Sequence, residues 1–477
     1  MTMMADAGHA PAGAARPPIR IAILGAGGRG RDAYGGWAIA HPDDARIVAV
    51  ADPDAARRAV LAARAAGVRE YDDWRALVAD LRVIGADAVV IALPDALHVD
   101  AAIAVADAGL PFLLEKPAAP ALAELARLAA HVGSVSARLA IGHVLRFTPF
   151  WRAIKRICES GAIGRLMTIE VRENIGFWHF AHSYVRGNWR NSAESSPMVL
   201  AKTSHDLDLI RWIAGSAPAT IYSIGSLSWF REENAPAGAP AFCLDGCPAA
   251  ATCPFYAPRY YVEALAETHG HPVTLLGADT SIEGRLRALA TGDYGRCVYR
   301  SDNDVVDHQQ TTMEFPDGLT ATLTASAFTA ENTRTLGITG SAGQLTGHME
   351  RGTLTVDLFS PGATLPPDLE LAEHDTAALP PLGHMRHRVR VVPPATDLGD
   401  HAGHAGGDAG LMAAFVRAVR EETVGRGQLS FSTALDAHLM AFAAEQSRVS
   451  GARVDFGEWV AGLDLDVPDE GAAAGPA

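Results

Sequence analysis

The sequence predicts an α/β protein in which a doubly wound parallel sheet comes first and an α+β domain of antiparallel strand pairs follows. Three observations carry this prediction. An apolar run, Ile19 to Leu24, feeds directly into the glycine-rich turn Gly25-Ala26-Gly27-Gly28-Arg29-Gly30. A second run, Ala45 to Ala51, ends on an acidic residue, Asp52. Beyond about residue 142, short apolar runs alternating with Ala-rich helices give way to strands rich in threonine and β-branched residues, with hairpin signals between them.

Taken in order, Ile19 to Leu24 reads as a buried parallel strand. Gly25, Gly27 and Gly30 then stand at G-x-G-x-x-G spacing, which suits a tight turn, close approach of backbone to a pyrophosphate, and packing of helix on strand. Asp52 closes the next strand, where a carboxylate can accept from an adenosine ribose hydroxyl. Helices are expected over Pro53–Ala66, Asp73–Leu81, His98–Gly109 and Ala119–His131, and strands over Ala86–Leu93, Pro111–Leu114 and Leu139–Gly142. In the second domain, Pro149–Ser160 reads as an amphipathic helix and Gly164–Glu173 as a strand. Val305–Phe315 and Leu319–Phe328 form a hairpin across Pro316-Asp317-Gly318. Strands at Arg334–Thr339 and Gly352–Leu358 follow, then an irregular surface excursion over 360–408 that contains Asp400-His401-Ala402-Gly403-His404, then helices at Gly410–Glu421 and Thr433–Arg448. The boundaries are a disordered start over 1–18, a nucleotide-binding domain over 19–142, a second domain over 143–456 and a tail over 457–477.

The totals narrow the function classes. A chain of 477 residues exceeds one ordinary core, and a formal charge of −15 without a basic tract argues against a nucleic-acid partner. Nothing reads as a membrane span or an export signal, and five cysteines are too few for a disulfide framework, which together point to a reducing cytoplasm.

By Glu115-Lys116-Pro117 the chain resembles the superfamily of glucose-fructose oxidoreductase and inositol 2-dehydrogenase. The resemblance rests on Gly25 to Gly30, Pro94 followed by His98, the Glu115-Lys116-Pro117 triplet, Arg146-Phe147, Ser160-Gly161-Ala162-Ile163-Gly164, and His205 with Asp208 ahead of Arg211-Trp212. It implies an N-terminal Rossmann domain and a C-terminal domain with a large, mostly antiparallel open sheet that often forms a homo-oligomer contact. It also implies oxidation of sugar or cyclitol alcohols with NAD or NADP. On the same ground Gly28, Arg29, Pro94, His98, Glu115 and Lys116 are expected to border the cofactor. One departure is plain: where many members carry an aspartate four residues before the histidine, this chain has Ala201.

Oxidising a secondary alcohol requires a proton acceptor and a cation near the developing alkoxide. Lys116 follows the C-terminal end of a buried strand, the side on which doubly wound sheets bind ligands, though a lysine there can also be a solvated loop charge. A helix is predicted over about 197–214, with Ser196 as N-cap, Pro197 at its first position and Gly215 after its end. Lys202, His205 and Leu209 fall on one face of it with Asp208 alongside. His205 is read as the acid/base, Lys116 as the group that polarises the hydroxyl, and Lys202 as added positive potential. The segment Phe177 to Arg190 mixes aromatic rings with polar hydrogen-bonding groups, and His179, His182, Arg186, Asn188 and Trp189 are read as sugar contacts, with a core role as the alternative. Asp52 favours NAD over NADP, with Arg57 and Arg58 as the residues that would soften that preference.

Cys243, Cys247 and Cys253 lie at C-x3-C-x5-C spacing. They could hold zinc with a fourth ligand from elsewhere, such as a histidine, or be free buried thiols. Three readings of the whole chain stand at this point: a sugar or cyclitol dehydrogenase, an NAD-dependent glycosidase or lyase in which oxidation is transient, and a non-catalytic nucleotide sensor.

Overall fold

The computed structural model describes residues 16–133, 138–369, 371–391, 403–463 and 465. The first sheet contains β1 (Ile19–Leu24), β2 (Ala45–Ala51), β3 (Arg69–Tyr71), β4 (Ala88–Ile91), β5 (Phe112–Leu114) and β6 (Leu139–Ile141), in the order β3-β2-β1-β4-β5-β6. Every neighbouring pair is parallel. Its central strands are short apolar runs such as Ala88-Val89-Val90-Ile91, buried on both faces because helices cover both sides. Those helices begin where short acidic side chains can cap them: Asp54 accepts from the Ala56 and Arg57 N–H groups, and Asp73 from that of Arg75. The order reverses between β1 and β4, so the crevice beyond the carboxyl ends of these two strands is the expected ligand position.

The second sheet has ten strands: β7 (Leu166–Gly176), β8 (Thr220–Ser226), β9 (His308–Glu314), β10 (Thr320–Thr329), β11 (Thr333–Gly340), β12 (Gly343–His348), β13 (Thr353–Leu358), β14 (Glu373–Leu379), β15 (His384–Arg390) and β16 (Val454–Asp455). Their order is β14-β15-β13-β12-β11-β7-β10-β9-β8-β16, and only β7 and β10 run parallel. The β9–β10 hairpin closes over Pro316-Asp317-Gly318 as expected, with Thr320 opposite Glu314. Along β7, buried Ile169, Val171 and Glu173 alternate with exposed neighbours, so one face of the sheet is covered and the other is open.

Several expectations need correction. Strands β14 and β15 occupy the stretch read as an irregular excursion; β14 is a mostly exposed edge strand and β15 beside it carries three Arg and two His, so neither shows a clear apolar alternation. The polar three-residue β3 and the Gly-bearing β12 were not anticipated for the same reason. The stretch assigned to the tail begins with a helix, Phe456–Ala461, capped by Asp455. The disordered start largely lies outside the described residues, as do Asp400, His401 and Ala402. Between β8 and β9 runs a long segment, 227–307, whose longest helix is Ile282–Thr291. No helix among the described residues is long and apolar enough to cross a membrane.

Candidate active site

The glycine-rich turn lies over the reversal in strand order. A Cβ on Gly25, whose φ is +96°, would meet the Ala92 carbonyl oxygen at 2.3 Å, and one on Gly30 would meet the Gly25 carbonyl oxygen at 1.9 Å. Both positions are closed by the fold itself. At Gly27 and Gly28 an added Cβ would meet nothing within 4 Å, so this backbone faces open space. That space is a cleft of about 470 Å³, bordered by Gly25, Gly27, Gly28, Arg29, Asp52, Arg57, Trp74, Arg75 and Pro94. Asp52 is buried at its floor and accepts from the N–H groups of Ala26 and Asp54, both at 2.9 Å, leaving lone pairs for a further donor. Trp74 and Arg75, which the sequence reading did not single out, form part of the wall, with the Arg75 guanidinium stacked 4.3 Å from the Trp74 ring.

Three residues expected at the cofactor have other partners. The Arg29 guanidinium bonds Glu115, the Tyr34 hydroxyl and both oxygens of Asp408, so it clamps the nucleotide fold to the helix Gly407–Glu421. Glu115 is thereby used for positioning, and it also accepts from the Lys116 main-chain N–H. Both ring nitrogens of buried His98 lie within hydrogen-bond distance of main-chain carbonyls, those of Pro117 and Leu93. His98 therefore shapes the loops around Lys116 rather than facing the cleft.

Lys116 follows β5, and its Nζ donates to the carbonyl of Ala201 at 3.1 Å. Ala201 is the residue at which the sequence departs from the pattern that the resemblance implies. Burial lowers the Lys116 ammonium pKa; Glu115 and Asp95 oppose that, and Lys202 adds to it. The predicted continuous helix is broken in two, Met198–Ala201 and Ser204–Ala214. Thr203 turns its hydroxyl back onto the Val199 carbonyl at 2.7 Å and leaves helical geometry, which starts the second helix one residue before His205. Gly215 ends it in a left-handed conformation as expected, but the buried Ser196 hydroxyl caps nothing.

His205 is 4% exposed, and its Nδ1 has no hydrogen-bond partner among the described residues. Burial holds the imidazole well below its ordinary pKa, and the nearby Lys116, His404, His143 and Arg334 reinforce this. At neutral pH the ring is therefore a neutral proton acceptor. Lys116 and His205 are thus brought together from different layers of the fold, with the His143 ring 5.7 Å and the His404 ring 5.6 Å from His205.

The neighbours on the predicted helix face diverge. Asp208 turns away to a buried ion pair with Arg146, with Nε to Oδ2 at 2.6 Å, and Leu209 is fully buried. Lys202 pairs with Glu173 at 3.0 Å, so the positive potential assigned to it is largely matched. Glu173 also meets Arg334 at 2.8 Å, and Arg334 meets Asp206 at 2.9 Å. Burial pushes the Asp206 carboxyl up to about 6, with Arg334 opposing and Glu173 adding to the shift.

The aromatic segment divides likewise. His179 is half-buried against Trp178 and Tyr184, and burial followed by the Lys202 charge lowers it to about 2. His182 and His179 line a cleft of about 570 Å³ with Trp178, Tyr260 and His271. Arg186 is corrected: it is buried and bonds the carbonyls of Arg296 and Phe255, a structural role. Trp189 stacks on Tyr184 at the edge of an apolar cluster, and Asn188 is exposed on the surface, so neither joins the site.

His404 is the main residue that sequence reading missed. It belongs to the histidine-rich run noted above, lies in the left-handed region at φ 57°, and bonds Asp408 at 3.3 Å while facing His205.

Comparison with known proteins agrees with this two-domain fold. Residues 19–143 match the model of an oxidoreductase family with an NAD-binding Rossmann fold, and residues 151–346 match the GFO/IDH/MocA C-terminal domain. Inositol 2-dehydrogenase 2 of Saccharopolyspora erythraea is 32% identical over 204 residues, covering 42% of this chain and 56% of that protein. Inositol 2-dehydrogenase of Corynebacterium glutamicum is 28% identical over 217 residues, covering 43% and 56%. The chain thus spans about half the length of the curated relatives it matches. In fold it is similar to a levoglucosan dehydrogenase solved with NADH and levoglucosan, with TM-score 0.63, 19% identity, and coverage of 92% of this chain and 99% of that one. It is also similar to myo-inositol 2-dehydrogenase from Lactobacillus plantarum, with TM-score 0.58, 18% identity, and coverage of 92% and 99%. Both halves of one family's architecture are matched in order, and the chain belongs to the GFO/IDH/MocA family of oxidoreductases with an NAD-binding Rossmann fold.

Proposed function

We propose that this protein is an NAD-dependent dehydrogenase that oxidises a secondary alcohol of a sugar, glycoside or cyclitol. The observation that carries the reading is the orphaned Nδ1 of buried, neutral His205 beside the Lys116 ammonium. A buried ring nitrogen without a protein partner is a group that awaits one.

The open backbone of Gly27 and Gly28 fits a dinucleotide pyrophosphate, and buried Asp52 fits an unphosphorylated ribose and disfavours a 2′-phosphate, which is why NAD is preferred to NADP. When bound, NAD supplies a hydride acceptor at its nicotinamide. Lys116 donates to the substrate hydroxyl and stabilises the alkoxide as it develops, and His205 takes the hydroxyl proton on its imidazole. Glu173, itself paired with Arg334, holds Lys202 near this pair, where the Lys202 charge adds to the burial that lowers the Lys116 pKa. His179 and His182 are the two residues of the aromatic segment assigned to substrate; Arg186, Asn188 and Trp189 are not.

The relatives named inositol and levoglucosan dehydrogenase support the substrate class. The open sheet face, on which Tyr222 and Ile224 stand exposed, supports a homo-oligomer contact, and five free thiols suit a reducing cytoplasm.

The test is NADH formation on a panel of hexoses, glycosides and inositols. Net NADH is expected from at least one class. His205→Asn should lower turnover by about two to four orders of magnitude with cofactor affinity nearly unchanged, and Lys116→Ala should bind NAD but lose the chemistry. Near-normal turnover in His205→Asn removes that residue from the mechanism. Product formation without net NADH favours a hydride-returning lyase or glycosidase instead.

A further inference from the structure

Four of the five cysteines meet at one place. Cys243, Cys247 and Cys253 come from one loop, and Cys297 arrives from beyond the helix Ile282–Thr291, yet all four line a single void in the segment between β8 and β9. The void has room of about 10 Å³, enough for one water-sized body. All four are free thiols, so no disulfide explains their convergence.

A buried cation faces the cysteine cluster. The Arg186 guanidinium stands 3.7 Å from the Cys243 sulfur, a buried cation suited to an anionic sulfur cluster. The fifth cysteine, Cys158, is buried on the helix Pro149–Glu159 and does not line this void.

We propose that Cys243, Cys247, Cys253 and Cys297 bind one zinc ion as a structural four-cysteine site. The fourth ligand, which spacing alone left open, is a cysteine rather than a histidine. Among the described residues no three His, Cys, Asp or Glu side chains already stand in ligating arrangement, so the thiols close on the ion by side-chain rotation into a void of the right size. Binding replaces four S–H bonds with four zinc–sulfur bonds and releases four protons, leaving a site of net charge −2 opposite Arg186. A single-ion void favours zinc over an iron–sulfur cluster.

The site has a clear structural use. The segment 227–307 has little regular structure, and one of its apolar clusters has only four buried members, Cys243, Ala257, Tyr261 and Leu289. A metal crosslink would fix it. It would also fix Pro254 and Tyr260, which follow Cys253 and wall the cleft shared with His179 and His182.

Metal analysis of protein purified without an affinity tag tests the proposal, and its outcome does not depend on dehydrogenase activity. One zinc per chain is expected, released by a mercurial reagent, retained in Cys158→Ser and lost in Cys253→Ser and Cys297→Ser, with a four-sulfur shell in X-ray absorption. Because a serine variant can fail to fold, the wild-type zinc content is decisive alone. Folded wild-type protein free of zinc after growth in zinc-supplemented medium overturns the proposal. So does an iron–sulfur absorbance, or equal loss of zinc in Cys158→Ser.

Discussion

Gly27→Ala separates a glycine required by the fold from one required by a ligand. Gly27 has φ −73° and ψ −173°, which alanine adopts without strain, and its added Cβ would meet nothing within 4 Å. Stability should therefore hold to within about 1 kcal/mol, with a slight gain from the stiffer unfolded chain. The same methyl would stand where a pyrophosphate must approach the backbone. Losing one charge-assisted hydrogen bond there costs about 1.5–3 kcal/mol, or roughly a 10- to 150-fold rise in Kd for NAD. Gly25→Ala is the matched control: with φ +96° and a carbonyl 2.3 Å from the new Cβ, it must shift the backbone and lower the unfolding midpoint. Thermal unfolding reports the first quantity and NADH fluorescence titration the second. A folded Gly27→Ala protein with wild-type NAD affinity would refute the assignment of this cleft to the pyrophosphate.

Three further outcomes follow. Arg146→Ala leaves Asp208, 1% exposed, as an unpaired buried carboxylate, and should cost about 3–5 kcal/mol in urea unfolding, much of it recovered by Arg146→Leu combined with Asp208→Leu. His438 is fully buried and neutral, its pKa pulled down to about 4 by burial, so it protonates only on unfolding as the pH falls below about 6.5. Stability should then drop by about 1.4 kcal/mol per pH unit from this group between those two values, and His438→Gln should flatten the slope. His205 is held below its ordinary pKa, so the acid limb of kcat/KM for alcohol oxidation should lie below pH 6.5; a limb above 6.5 would contradict the neutral-base role.

The parts legible in the sequence were those written in local chemistry. The strand and turn from Ile19 to Gly30, the acidic end of β2, the β9–β10 hairpin, and Lys116 at the end of β5 each declare themselves within a dozen residues. What escaped was set by distant partners. Arg29 is expected to border the cofactor, yet Asp408 holds it, and Asp208 reads as a neighbour of His205, yet Arg146 claims it. The break at Thr203 depends on one hydroxyl choosing the Val199 carbonyl, which no periodicity records. His404 joined the site from a stretch without apolar pattern. Arg186 and Trp189 show the ambiguity of a mixed aromatic and polar segment, since the same composition serves a packed wall and a sugar subsite.

The most direct measurement is a crystal structure of the ternary complex with NADH and an oxidisable inositol or sugar. One carbinol hydroxyl should lie within about 2.6–3.2 Å of both Lys116 Nζ and a ring nitrogen of His205, with its carbon facing the nicotinamide. A substrate whose reacting hydroxyl touches neither nitrogen, or a dinucleotide seated away from Gly27 and Gly28, would contradict the account.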